Sequence, residues 1–191
     1  MPGRDPHHEK SQSSPTVMTI GYSTRSLDAF KSILTAHQVV ELVDVRTIPK
    51  SKRNPQFNKE ALESALRSSG IWYAHTKRLG GLRRPKNDSI NKAWRNLSFR
   101  GYADHMQTSD FEADLAKLKT LVDKTKTGRV AFMCAESISW RCHRSLIADA
   151  LTVRGFRVEH IMSESKTQEH RLTPFAIIRG TQITYPEESA R

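Results

Sequence analysis

"VVELVDV", residues 39–45, decides the fold class. Four valines and one leucine fall within seven positions, and β-branched side chains favour extended backbone. A strand with one wet face would alternate apolar and polar residues. This one is almost continuously apolar, the pattern of a strand covered on both faces in a parallel sheet.

Working outward, four further runs read as strands: "VMTIG" (17–21), "IWYAH" (71–75), "RVAFMC" (129–134) and "FRVEHIM" (156–162). Helical patterns fall between them. Ser26 is placed to cap a helix carrying Leu27, Phe30, Ile33 and Leu34 on one face, and Asn58 one carrying Ala61, Leu62, Ala65 and Leu66 that Gly70 closes. A third begins near Ser109 with Phe111, Leu115, Leu118 and Val122, and a fourth runs from about His143 to Arg154 with Leu146, Ile147, Ala150 and Leu151 inward. The alternation predicts one α/β domain over 17–185, with a mostly parallel sheet of about five strands and helices on both faces. "IIRGTQITY" (177–185) reads as a small closing hairpin.

Residues 1–16 are polar, lack the apolar core of a secretory signal and read as a disordered leader, and 186–191 read as a tail. The 191-residue chain holds no apolar run of the roughly 18 residues a bilayer crossing needs, so a membrane partner is not expected. Two cysteines cannot build a disulfide scaffold, and the expected compartment is the cytoplasm. Oligomeric state leaves no mark in the sequence.

The net charge of +11 is localised. Between Arg46 and Arg100 lie fourteen Lys or Arg against three acids, so the whole formal excess falls in that segment. Phe57, Trp72, Tyr73, Trp94 and Phe99 are interleaved with the cations, a composition suited to neutralising phosphates and stacking on bases. The basic stretch 76–102, after the run 71–75, shows weak periodicity and reads as a long functional loop.

In a parallel α/β sheet, ligands gather beyond the carboxyl ends of the strands. Those ends are Tyr22 and Ser23, Asp44 and Arg46, His75 followed by Lys77 and Arg78, Cys134 and Glu136, and Ser163 and Glu164. Both cysteines of the chain fall here. Cys134 ends the fourth strand as a small core residue or a nucleophile, and Cys142 precedes a helix between Arg141 and Arg144, where thiolate is favoured. His143 caps that helix, holds an anion or moves a proton. Asp44 pairs with Arg46 or works on a substrate, and Glu136 has the same alternatives. Seven residues separate Cys134 from Cys142, a spacing unlike paired zinc ligands, and "GYSTRS" (21–26) is no dinucleotide or phosphate-loop fingerprint. Neither metal nor cofactor is expected.

"TIGYSTRSLDAF", "LVDVRTIPKSKRNPQFN", "YAHTKRLGG", "FRGYADHM", "CAESISWRCHRSLIADAL" and "HRLTPF" together resemble the domain-of-unknown-function family numbered 488, over roughly residues 17–185. The resemblance implies an α/β domain. By motif matching it picks out Gly21, Tyr22, Ser23, Asp44, Arg46, the Leu79-Gly80-Gly81 turn, Tyr102, Cys134, Glu136 and Cys142-His143-Arg144. In outline the chain is also similar to rhodanese and cysteine-phosphatase domains, where a cysteine opens an anion-holding loop that an arginine closes. The loop here departs from theirs. It is longer, has no glycine between Cys134 and Arg141, and carries Glu136, which would oppose an anion.

Two chemistries follow. In the leading one, Asp44 or Glu136 supports cleavage or exchange of an N-glycosidic bond on an extruded base, in repair or base processing. Lys77, Arg78, Arg83, Arg84 and Trp94, with Gly80, Gly81 and Tyr102 nearby, would hold the DNA or RNA. In the alternative, Cys134 or Cys142 attacks a small anionic substrate as in a sulfurtransferase or phosphatase, with Arg144 holding the oxyanion. A binding module for nucleic acid without catalysis is the third reading.

Overall fold

The computed structural model describes residues 14–187, so most of the expected leader and the last four residues of the tail lie outside it. Strand β1 (Thr16–Gly21) starts one residue before its sequence-based bound. Helix α1 (Leu27–Ala36) follows, with Ser26 Oγ accepting from Ala29 N at 3.2 Å. Strand β2 (Val39–Asp44), helix α2 (Lys59–Arg67) and strand β3 (Trp72–His75) come next. Asn58 precedes α2 as expected, but its side chain accepts from Ser51 N and braces the preceding loop instead of capping the helix.

The stretch 76–102 is not one long loop. A 3-10 turn over Lys77–Leu79 opens it and helix α3 (Leu97–His105) closes it, with Asn96 Oδ1 accepting from Ser98 N and Phe99 N. Helix α4 (Ser109–Lys124) has Thr108 as its cap, and strand β4 (Arg129–Cys134) leads through a 3-10 turn at Ser139–Arg141 into helix α5 (Arg144–Thr152). Strand β5 (Arg157–Ile161), a short β6 (Thr167–Glu169), and the hairpin β7 (Ile177–Arg179) and β8 (Gln182–Thr184) complete the chain.

The sheet has six strands in the order β3-β2-β4-β1-β5-β6, parallel except for β6, and the hairpin stands apart from it. Alternate residues of each strand feed two cores. Met18, Ile20, Leu42, Ala131 and Met133 face α1 and α2, whereas Val17, Val43, Val130 and Phe132 face α3, α4 and α5. This two-sided cover explains the continuous apolar run of β2. All five parallel strands end at the same edge, as the sequence-based reading requires.

A buried polar knot ties the C-terminal segment to α5. Asp149, fully buried, accepts from His170 Nε2 (2.8 Å), Thr173 N (3.0 Å), Thr173 Oγ1 (2.7 Å) and Tyr185 Oη (2.8 Å). With its Nε2 hydrogen on Asp149, His170 presents Nδ1 to the Nε2 hydrogen of His160 at 3.1 Å. Burial, with the neighbouring His170 and the Arg144 charge, pushes the His160 pKa down to about 3, so this imidazole is neutral in the folded protein.

Candidate functional site

The strand ends open into a cavity of about 640 Å³. Its floor is chemical. Cys134, Cys142 and His143 line it together, and their sulfur and nitrogen donor atoms lie within 4.8 Å of one another. Cys134 is set by the sheet, where it pairs with Gly21 of β1 and its carbonyl accepts from Tyr22 N at 3.2 Å. Cys142 is set by the turn before α5: its N–H donates to Ser139 O (3.0 Å) and its carbonyl accepts from Ser145 Oγ (2.9 Å).

His143 Nε2 lies 3.1 Å from Val45 O. A carbonyl only accepts, so Nε2 carries the hydrogen and Nδ1 keeps its lone pair. That lone pair faces Cys142 Sγ at 3.6 Å. The Cys134 thiol, hydrogen-bonded to Cys142, holds the Cys142 thiol well below its ordinary pKa against burial, and His143, once Nδ1 has taken the thiol proton, and Arg144 add to the effect. The same hydrogen bond, together with burial, pushes Cys134 well above the ordinary value. Both directions favour charge on Cys142, the sulfur that faces His143 Nδ1.

The loop after β4 crosses directly over the end of β1. A β-carbon on Gly21 would stand 1.8 Å from Glu136 O, so only glycine permits the crossing. Arg144, 1 % exposed, clamps this loop from below: Nη1 donates to Thr19 Oγ1 (2.6 Å) and Nη2 to Glu136 O (2.5 Å) and Ser137 O (3.3 Å). It points into the protein. The oxyanion-holding role read for it from sequence has no geometry behind it, and its part is to fix the loop.

Of the other residues singled out from sequence, Tyr22, Ser23, Gly81 and Glu136 line the cavity. Glu136 Oε1 accepts from Ile138 N at 3.2 Å and its side chain is exposed. Asp44 and Arg46 do not reach it. They form a buried ion pair beneath it, Nη2 to Oδ2 2.5 Å and Nε to Oδ1 2.9 Å, while Tyr73 Oη donates to Asp44 Oδ2 at 2.7 Å. Burial and the Asp44 charge push the Tyr73 pKa up, which keeps that donor proton in place. Tyr102 is buried under the site, its ring 5.0 Å from that of His143 and its hydroxyl on Leu79 O.

The expected nucleic-acid contacts also disperse. Lys77 and Arg78 open the 3-10 turn and do not line the cavity, and Arg78 lies 3.4 Å from Asp110. Arg83 is turned back onto Gly80 O and Arg78 O, Gly80 is packed against Thr47, and Arg84 is exposed outside the cavity. Trp94 packs against Phe99, Phe175 and Tyr185, and Phe57 stacks on Tyr22 with ring centroids 4.1 Å apart. Trp94 and Phe57 serve the core, so neither supplies the base-stacking surface read from composition, while Phe99 also lines the cavity and Trp72 stays exposed. Sequence reasoning passed over Lys52, Arg53 and Leu82 as cavity residues, because the loops carrying them fold back over the strand ends without any periodic signal, whereas Phe99, named there for stacking, reaches the cavity from α3.

The model of the family described as "Domain of unknown function DUF488" matches residues 26–151. The chain belongs to this family. The match runs from the cap of α1 through most of α5, so within DUF488 the shared region holds Asp44, Cys134, Glu136, Cys142 and His143. Tyr22 and Ser23, and the His170 end of the Asp149 knot, lie outside it. No curated protein and no solved structure matches the chain. No helix among the described residues is long and apolar enough to cross a membrane.

Proposed function

We propose that the protein is a thiol-dependent enzyme in which Cys142 is the nucleophile, His143 accepts its proton at Nδ1 and the substrate is a small anion carrying a transferable sulfur. One observation carries the reading: a cavity-floor cysteine sits 3.6 Å from an imidazole nitrogen whose tautomer Val45 O fixes. Lys52, Arg53 and Arg141 line the cavity against the single acid Glu136, which supports an anionic substrate. Phosphoryl transfer is supported less. It needs a clamp on the developing charge, and Arg144 is engaged elsewhere.

With a thiosulfate-type donor the step balances. The Cys142 thiolate attacks the outer sulfur, a persulfide forms on Cys142, the old sulfur–sulfur bond breaks, and sulfite leaves with its electron pair. Incubation with thiosulfate should add the mass of one sulfur atom to Cys142 and release sulfite, and Cys142→Ser should do neither. Sulfur found on Cys134 instead, or none on the wild-type chain with any thiosulfate-type donor, sinks the reading.

A second reading is contact with a polynucleotide. It is favoured by the exposed cations Lys50, Lys52, Arg53, Arg84, Lys86, Lys92 and Arg95. The carboxylate chemistry attached to it loses Asp44, whose oxygens are taken by Arg46 and Tyr73. Labelled DNA and RNA titrated across salt, beside a variant with Arg83, Arg84, Lys86 and Arg95 changed to alanine, should then show a steep salt dependence that the variant loses in part. Flat binding in both excludes it.

A further inference from the structure

We infer that Cys134, Cys142 and His143 form a binding site for a thiophilic d10 cation of the zinc(II) type, with its fourth coordination position open to the cavity. The chain spacing that argued against a metal counts residues along a loop. The fold brings the three donors together from the end of β4 and the start of α5.

Tetrahedral zinc, with bonds of about 2.3 Å to sulfur and about 2.0 Å to nitrogen, requires a sulfur-to-nitrogen edge of about 3.5 Å. Cys142 Sγ and His143 Nδ1 stand 3.6 Å apart, and all three donor atoms fit within 4.8 Å. The imidazole is also arranged as zinc-binding histidines are. Its other nitrogen donates to a backbone carbonyl, Val45 O, which aims the free lone pair at the sulfurs.

Gly81 packs against the ring itself. A β-carbon there would come 2.9 Å from His143 Nδ1 and 3.3 and 3.4 Å from the ring carbons beside it, against the face of the imidazole, so glycine lets the ring keep this orientation. Two thiolates and a neutral imidazole would cancel the ion's charge. That leaves a neutral cluster beside Arg144, whose guanidinium is turned to Thr19 and the Glu136 carbonyl. Three protein ligands with one open position are the composition of a zinc site that can still take water or a substrate atom.

This inference goes beyond the thiol reading and does not rest on it. An ion in place turns both sulfurs into ligands, so nucleophilic chemistry at Cys142 belongs to the metal-free protein, and metal shields the thiolate.

The test uses the full chain, reduced and stripped with chelator, then titrated with zinc(II) against a chromophoric zinc indicator and, separately, with cobalt(II). One ion per chain and a sulfur-to-cobalt charge-transfer band are expected. Cys134→Ser should weaken affinity by at least about a hundredfold, the upper end of what losing even an outer-sphere partner costs. Gly81→Ala, melting as a folded protein, should weaken it too. Absence of the charge-transfer band, or equal affinity in the wild type and Cys134→Ser, overturns the site. Sulfur loading of the wild type in excess chelator is read in parallel, so the two proposals fail separately.

Discussion

Asp149→Ala should lower the stability of the folded chain by about 3–5 kcal/mol, a cost comparable to breaking a buried ion pair. The carboxylate is fully buried and receives four hydrogen bonds from three residues: His170, Thr173 by backbone and side chain, and Tyr185. Alanine would leave all four donors unpaired, those of Tyr185 and His170 shut away from water. It would also open a void beneath Tyr185, which is itself 0 % exposed. Asp149→Asn should cost less, about 1–2 kcal/mol, because Oδ1 can still accept from His170 and Thr173 N while the two hydroxyls turn to accept from the new amide. Urea denaturation of the three proteins ranks them. An alanine variant within about 1 kcal/mol of wild type would mean that the knot is a surface convenience and not the tie between α5 and the C-terminal segment.

The knot shows where sequence reading stops. The stretch holding His170 and Thr173 stood out as a motif, yet Asp149 sat inside a helical pattern as one polar residue among apolar ones, and nothing in a 21-residue separation links the two. The parallel sheet was legible because burial on both faces writes itself into composition, as in residues 39–45. Helix α3 was not, since Arg100 and Gly101 interrupt its pattern and its start depends on one capping side chain, Asn96. Strand β6 is three residues long, with two exposed, and carries no apolar alternation to find. In the site, the rule that ligands collect at strand ends pointed to Cys134 and Glu136, and the fold places them on one cavity with Cys142 and His143 from the start of α5. It could not tell which way a side chain points. Asp44 and Arg46 stand at the end of β2 and turn inward to each other, and Arg144 turns inward to Thr19.

That inward turn makes Asp44 the second large expected effect. Asp44→Ala should cost about 3–5 kcal/mol, because it strands the Arg46 guanidinium, only 5 % exposed, without a counter-charge. Arg46 would keep the Phe57 carbonyl at 2.8 Å and the distant Tyr22 hydroxyl at 3.4 Å, and neither neutralises it. The unpaired charge, more than the lost bonds, sets the size of the effect. Removing it should therefore repair much of the damage: the double variant Asp44→Ala with Arg46→Met should recover roughly half the loss, since a buried pair replaced by apolar groups is often close to neutral. Denaturant midpoints of the two single variants and the double variant close this cycle. The same proteins separate structure from chemistry. If Asp44 serves only to hold Arg46, the double variant, kept folded at low temperature, still loads sulfur on Cys142. Loss of loading in a variant that remains folded would return the carboxylate to the reaction.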